Sequence, residues 1–185
     1  MAIKKYSKVK FTLRKELIII LSAILVLVVA TILLNLPNKE EKFVAKWSEA
    51  GSTIVENRLY EETTFDDLAG ILASEDVTFV LFATPSDADS VAQFDAILNK
   101  ATAYGLEKVY LIDSEFAVGD REEDAALDAD LKLKEDSFKV SLDSTTNFWV
   151  FKGTELVGSA DQFKVSDAIN WELALTQLLT NTKNA

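Results

Sequence analysis

The stretch that decides the fold is VTFVLFATPSDADSVAQFDAIL, residues 77–98. Its first seven residues, 77–83, form a nearly continuous apolar run, which is typical of a strand buried on both faces of a sheet. From Val91 onward, apolar residues recur at three- and four-residue steps, which predicts a helix over about 87–104. A buried strand that runs directly into a long helix indicates an α/β fold.

Patterns on either side of this unit predict the remaining elements. A capping box formed by Thr64 and Asp67 predicts the start of a short helix. The other predicted elements are a first strand over 53–60, a strand over 108–113, a helix within 114–136, a strand over 147–151, a hairpin at 152–155 that leads into an antiparallel strand, and a last helix that begins near Ser166. The order β-α-β-α-β-α-β-β-α predicts a mixed sheet with helices on both faces.

The composition excludes several kinds of chemistry. The chain has no cysteine, so it has no disulfides, thiolate nucleophiles or thiolate metal sites. It also has no histidine, which removes the commonest general base and the Ser-His-Asp triad. A Ser–Lys hydrolase remains a formal alternative, although no spacing pairs the two residue types. We therefore expect no enzymatic activity and no cofactor.

Residues 17–36, LIIILSAILVLVVATILLNL, form an uncharged apolar segment. Its length matches the roughly 20 residues that a helix needs to cross a bilayer. Residues 1–16 carry six basic residues and one acidic residue, so the positive-inside rule places them in the cytoplasm and the remainder outside the cell. A cleaved signal peptide is the alternative, but the run is long for a signal core and no A-x-A site follows.

The predicted organisation is therefore a tail, an anchor, a linker and one domain. Residues 1–16 are the cytoplasmic tail, 17–36 a transmembrane helix, 37–52 a juxtamembrane linker and 53–185 an extracytoplasmic domain. Of the 19 basic and 30 acidic residues, 13 and 29 lie after the anchor, which gives that part a formal charge of −16. This charge repels nucleic acid and favours basic proteins or cations as partners.

Three stretches carry a resemblance to the thioredoxin-like fold family. They are VTFVLFATPSDADSVAQFDAIL, KVYLID and STTNFWVFKGTELVG. They are similar to the family's strand with active-site turn and long helix, to its next central strand, and to its final strand and hairpin. The chain looks most like bacterial thioredoxins of the membrane-anchored, exported kind. The resemblance implies the fold but does not indicate a partner.

The departures from the family fall on its functional residues. One alignment puts the family's C-x-x-C pair at Ala88 and Val91, and a shift of one residue puts it at Asp87 and Ser90. The family's cis-proline corresponds to Thr146, where we expect a trans peptide because a cis bond before a non-proline residue costs about 2.5–4 kcal/mol. Thiol–disulfide exchange needs a thiolate, so the domain is expected to be redox-inactive.

The degenerate turn has two interpretations. In the structural one, Ser86 caps the helix, Asp89 completes a capping box, and Asp87 and Asp89 lie against the positive end of the helix dipole. In the functional one, the turn and the loop before the last central strand form a polar patch that binds an extended basic peptide. The candidate residues are Ser86, Asp87, Ala88, Asp89, Ser90, Val91, Thr145, Thr146 and Asn147.

A second candidate site is an acidic stretch between residues 113 and 130. Its eight carboxylates are Asp113, Glu115, Asp120, Glu122, Glu123, Asp124, Asp128 and Asp130. Calcium prefers oxygen ligands, but no EF-hand loop is present, so Asp120, Glu122, Glu123 and Asp124 are only weak metal candidates. A solvated helix face explains the same residues.

Together these observations predict a single-pass membrane protein whose outer domain binds a protein partner as an accessory module. The lipid bilayer is the other expected partner, through residues 17–36. The alternative function is low-affinity binding of Ca²⁺ at the cell surface.

Overall fold

The computed structural model describes residues 15–34, 38–117, 125–165 and 168–183. The chain divides into two compact units, Met1–Asn38 and Lys39–Ala185. The first unit contains helix α1, Lys15–Leu34. Within the parts of the chain that the structure describes, no helix is both long enough and apolar enough to cross a membrane. Residues 35 and 36, at the end of the predicted span, lie outside those parts.

The second unit contains five main strands, five helices and a short ribbon among its described residues. In chain order they are α2 (Lys39–Glu49), β1 (Tyr60–Thr63), α3 (Phe65–Ser74), β2 (Val77–Ala83), α4 (Ala88–Tyr104), β3 (Val109–Asp113), α5 (Ala125–Phe138), β4 (Asn147–Lys152), β5 (Glu155–Ser159), β6 (Lys164–Val165), β7 (Ala168–Ile169) and α6 (Trp171–Lys183). Single 3₁₀ turns cover Glu115–Ala117 and Ala160–Phe163.

The sheet has the strand order β1-β3-β2-β4-β5. Strands β1, β3 and β2 are parallel, whereas β4 pairs antiparallel with β2, and β5 antiparallel with β4. Strand β2 is central because Leu81 lies opposite Leu111 on one side and Phe148 on the other. The predicted mixed sheet is confirmed, and this order and these directions are those of a thioredoxin-like fold.

Side chains of β2 alternate between two hydrophobic cores. Leu81 and Ala83 face α2, α4 and α6, whereas Val80 and Phe82 face α3 and α5. All four side chains are fully buried, which explains why the strand reads as an unbroken apolar run. Helices therefore cover both faces of the sheet, as the sequence predicts.

Helix α2 belongs to the folded unit, although the sequence places a linker there. Trp47 is 1% exposed and stacks on Phe94 of α4, with 3.9 Å between ring centroids. Tyr60 stacks on Phe94 at 4.1 Å, and its hydroxyl donates to the Phe94 carbonyl. Burial raises the pKa of the Tyr60 hydroxyl well above its usual value, so it stays a donor. The compact unit thus begins at Lys39 rather than at residue 53.

The strand predicted over 53–60 is wrong, because β1 begins only at Tyr60. The side chain of Asn57 bends the chain: its Oδ1 accepts from the Tyr60 amide at 2.8 Å, and its Nδ2 donates to the Tyr60 carbonyl at 2.7 Å. Asp95 of α4 accepts hydrogen bonds from Ser52 and Thr53. Side-chain hydrogen bonds therefore fix the conformation of this segment, although its β-branched residues predicted a strand.

The last helix begins at Trp171 rather than near residue 166. Asn170 caps it, since the Leu173 amide donates to Asn170 Oδ1 at 3.1 Å. Ser166, the predicted cap, lies outside the described residues. Strands β6 and β7 precede the helix, and the Asn170 amide donates to the Phe163 carbonyl at the base of this ribbon. The predicted cap of α3 is confirmed, because the Asp67 amide donates to Thr64 Oγ1.

We predict that Gly158→Ala destabilises the fold. A Cβ at position 158 would overlap Leu178 Cδ2, and Leu178 is buried in the core. Overpacking of this kind costs about 1–3 kcal/mol in the free energy of unfolding, measured by urea denaturation.

Gly70→Ala is the matched control. Nothing lies within 4 Å of a Cβ at this helical position. Removal of a helical glycine is expected to stabilise the protein by about 0.5–1 kcal/mol. A Gly158→Ala variant as stable as the unmodified protein would contradict the proposed contact.

Candidate functional site

A tight turn joins β2 to α4 and sets the helix start. The Asp87 amide donates to the Thr84 carbonyl at 3.3 Å, with Pro85 and Ser86 at the two central positions. Pro85 suits the first of these because its φ is already near the required value. Ser86 is exposed on the outside of the turn. Because Ser86 is a central residue of the turn, it lies one residue before the position that caps the helix.

Asp87 is the helix cap, which corrects the predicted roles of Ser86 and Asp89. The Ser90 amide donates to Asp87 Oδ2 at 3.0 Å, and the Val91 amide donates to the Asp87 carbonyl at 3.1 Å. The third helical position is consequently Ser90, so Asp89 cannot complete a capping box. Asp89 and Ala88 are both exposed in the first turn of α4.

The carboxylate of Asp87 also joins the helix start to the loop before β4. Its Oδ2 accepts from Thr145 Oγ1 at 3.1 Å and from Thr146 Oγ1 at 3.3 Å. The hydroxyls of Ser90 and Thr146 are hydrogen-bonded to each other, and Ser90 Oγ also lies 3.3 Å from the Thr145 carbonyl. We call Asp87, Ser90, Thr145 and Thr146 the Asp87 cluster. Its members satisfy one another's hydrogen bonds across the two segments.

Ser114 extends this cluster and was not predicted from the sequence. It is fully buried, and its hydroxyl donates to the Thr145 carbonyl at 2.6 Å. Its amide donates to the Ala83 carbonyl at 3.1 Å, so it continues the pairing of β3 with β2. The only sequence signal was its position directly after a predicted central strand.

Asn147 and Val91 lie apart from the cluster. Asn147 is 1% exposed, and its Oδ1 accepts from the Phe148 amide and from the Ser159 hydroxyl, which ties β4 to β5. Val91 is 7% exposed and packs in the core beneath α4. The structure thus brings together Asp87, Ser90, Thr145 and Thr146, but not the rest of the predicted patch.

The geometry favours one of the two alignments of the absent cysteine pair. Asp87 and Ser90 both face the loop at Thr146, whereas Ala88 is exposed and Val91 is in the core. The peptide bond before Thr146 is trans, as expected. A carboxylate and a hydroxyl therefore occupy the positions that the resemblance assigns to the two thiols.

Asp87 stays ionised under ordinary conditions. Its partial burial tends to raise the carboxyl pKa, but the hydrogen bonds from Ser90, Thr145 and Thr146 outweigh that effect and lower it. The cluster is consequently a network of donors arranged around one negative charge.

An open cleft lies beside the cluster. It has a volume of about 480 Å³ and extends from the start of α4 to the ribbon β6–β7. The residues that line it are Asp89, Gln93, Asp143, Ser144, Thr145, Thr146, Lys164, Ala168, Ile169 and Trp171. Its wall therefore combines two carboxylates and one ammonium group with the half-buried ring of Trp171.

The acidic candidates for a metal site are only partly described. Asp120, Glu122, Glu123 and Asp124 lie outside the described residues. Within 38–117 and 125–183, apart from 166 and 167, no three acidic side chains are grouped so that they could hold an ion. Asp113 is paired with Lys46 and Asp128 with Lys132, both at 2.6 Å.

Comparison with known proteins gives only distant structural similarity. No family model and no curated protein matches the chain. Thioredoxin from Plasmodium falciparum is 15% identical, with a TM-score of 0.41, over 66% of this chain and 97% of that one. Its oxidised form in solution is 13% identical, with a TM-score of 0.42, over 68% and 98%. A designed protein is 12% identical, with a TM-score of 0.40, over 69% and 97%.

These scores are too low to support an argument about function. The thioredoxin-like fold is therefore assigned from the order and directions of the five strands and from the helices on both faces.

We predict that Asp87→Asn destabilises the domain by about 1–2 kcal/mol at pH 7, because a charged cap that accepts three side-chain and backbone donors becomes neutral. The folded pKa of Asp87 is lowered, so its stabilising contribution is present above the unfolded value, near 3.9, and is lost as the pH falls through the folded value. Urea denaturation at pH 7 and pH 3 should show the difference between the two proteins shrink at the lower pH.

Asp89→Asn is the control for this measurement. Asp89 lies in the same helical turn but is exposed, so its replacement should change stability by less than about 0.5 kcal/mol. Equal effects of the two substitutions would contradict the role assigned to Asp87.

Proposed function

We propose that this chain is a membrane-anchored, redox-inactive protein that binds a protein partner outside the cytoplasm. One observation carries the proposal. The Asp87 cluster closes the place where the resemblance puts a thiol pair, yet a cleft of about 480 Å³ stays open directly beside it. Thr145 and Thr146 belong to the Asp87 cluster and also line the cleft. The loop before β4 therefore connects the closed site to a surface on which a partner can bind.

The charges of the cleft favour a particular kind of ligand. Asp89 is an exposed carboxylate in the cleft and Asp143 contributes a second, whereas Lys164 contributes a single ammonium group, so the charge of the lining is net negative. Trp171 and Ile169 offer apolar surface, and a tryptophan in a depression is a frequent anchor in protein interfaces. An extended peptide segment with a basic side chain near Asp89 and an apolar side chain on Trp171 matches this arrangement. The charge of −16 beyond the predicted anchor supports a basic partner as well.

The anchor is supported by the sequence. Residues 17–36 contain no charged side chain, and the preceding segment is basic. The described part of this segment is helical, and the hydroxyls of Ser22 and Thr31 donate to carbonyls four residues earlier, which satisfies them inside the helix. The accessory role follows from an anchor joined to a binding domain that lacks thiols.

Site-directed photo-crosslinking in intact cells tests the binding proposal. A photoreactive phenylalanine analogue at Gln93 or Ser144, both in the cleft, should yield one discrete adduct with another protein. The same analogue at Leu133, exposed on α5 on the opposite face of the sheet, should not. Asp89→Lys should weaken the adduct by reversing a charge at the cleft. Identical adduct patterns from the cleft and from Leu133 would sink the proposal.

Extraction of membranes with alkaline carbonate tests the anchor. The full chain should stay in the membrane pellet, whereas a chain that lacks residues 1–37 should be released, because only the former has an apolar segment of spanning length. Protease added to spheroplasts should remove the domain. Release of the full chain would contradict the anchor, and a mature form shortened at its N-terminus would indicate a cleaved signal peptide.

A further inference from the structure

A second, smaller cavity lies beneath α2, apart from the cleft. Its volume is about 210 Å³, and it is more enclosed than the cleft. The residues that line it are Lys46, Trp47, Glu62, Thr63, Ala83, Leu111 and Asp113. Apart from Lys46 and Trp47 of α2, they come from β1, β2 and β3, mainly at the carboxyl ends of these parallel strands.

The topology of the sheet creates a crevice at this place. After β2 the chain enters α4, which packs on the same face as α2 and α6. After β3 it leads to α5, which packs on the opposite face. Neighbouring parallel strands whose connections leave toward opposite faces open a crevice at their carboxyl ends, where α/β proteins bind ligands. Ala83 and Asp113, at the ends of these two strands, both line the cavity.

The polar groups of the cavity are of both signs. Lys46 Nζ lies 2.6 Å from Asp113 Oδ2, and Glu62 adds a second carboxylate. Thr63 supplies a hydroxyl. The indole nitrogen of Trp47 is inaccessible to solvent, so its N–H does not open into the cavity and only the ring contributes to the wall. Ala83 and Leu111 form an apolar part of the wall.

We propose that this cavity binds a free α-amino acid. The two carboxylates, Glu62 and Asp113, suit an ammonium group, and Lys46 and Thr63 suit a carboxylate. A ligand that carries both groups on one carbon can pair its ammonium group with Asp113 and Glu62 and its carboxylate with Lys46, in place of the half-exposed Lys46–Asp113 ion pair. The volume is below the range of roughly 300–1,000 Å³ that is usual for drug-sized ligands, so the ligand is small. Ala83 and Leu111 would contact a short apolar side chain.

The inference is independent of the proposed function. None of the seven residues lines the cleft beside the Asp87 cluster, and binding in the cavity requires neither the anchor nor a protein partner. A protein that binds no partner could therefore still bind an amino acid, and a protein that binds no amino acid could still bind a partner.

Thermal unfolding of the purified full chain with each of the 20 protein amino acids tests the proposal. At a concentration of roughly 10 mM, one or a few small apolar amino acids should raise the melting temperature, because a ligand bound only to the folded state stabilises it. Isothermal titration calorimetry should then give a stoichiometry of one. An amine or a carboxylic acid of the same size, such as isobutylamine or isovalerate, should bind at least about tenfold more weakly.

Two variants connect the binding to this cavity. Glu62→Gln and Asp113→Asn should each weaken the amino acid about tenfold, whereas Glu61→Gln, next to Glu62 on β1 but not part of the lining, should bind normally. Asp113→Asn loses the ion pair with Lys46 and could be destabilised for that reason. Glu62 is exposed, so Glu62→Gln is expected to fold normally and to test binding alone. The proposal is overturned if no amino acid binds, if Glu62→Gln binds normally, or if the amine alone binds as tightly.

Discussion

The whole domain depends on the burial of one strand. Strand β2 has neighbouring strands on both sides and hydrophobic cores on both faces, and four of its consecutive residues, 80–83, are fully buried. A strand in this position requires helices on each face, because uncovered apolar side chains would contact solvent. The two hydrophobic cores, one on each face of the sheet, follow from that requirement. The strand also directs its last residues into the turn that carries Asp87.

The candidate site shows how the fold brings together side chains that are far apart in the sequence. A strand that runs into a helix places the residues of the turn next to the loop before β4, whatever side chains they carry. Here Asp87 and Ser90 supply acceptors and donors, and Thr145 and Thr146 complement them. The resulting contact holds two segments separated by more than 50 residues in the chain, as the sequence distance between Asp87 and Thr145 shows. Asp87, Ser90, Thr145 and Thr146 therefore stabilise the contact between the start of α4 and the loop before β4.

Several elements could be predicted from the sequence because their signals are strong and local. The run at 77–83 is apolar throughout, and its predicted bounds agree with those of β2. The prediction of a strand at 53–60 was wrong because it relied on the β-branched and aromatic residues of this stretch. It did not take into account that the side chain of Asn57 forms hydrogen bonds with the Tyr60 backbone and bends the chain. The cap of α4 was misplaced by one residue, since Ser86 and Asp87 are both good caps and only the turn built on Pro85 decides between them. Ser114 had no signal, because its partner Thr145 is distant in sequence.

The absence of cysteine also has a consequence for how the protein matures. A chain held together by aromatic stacking, by two apolar cores and by the hydrogen bonds of Asp87 contains nothing for an oxidase to join or for an isomerase to rearrange. Its native contacts do not depend on the redox potential of its surroundings. Because the chain has no thiol, thiol oxidants and thiol reductants have no group on which to act, and the domain can reach the same structure in an oxidising or a reducing compartment.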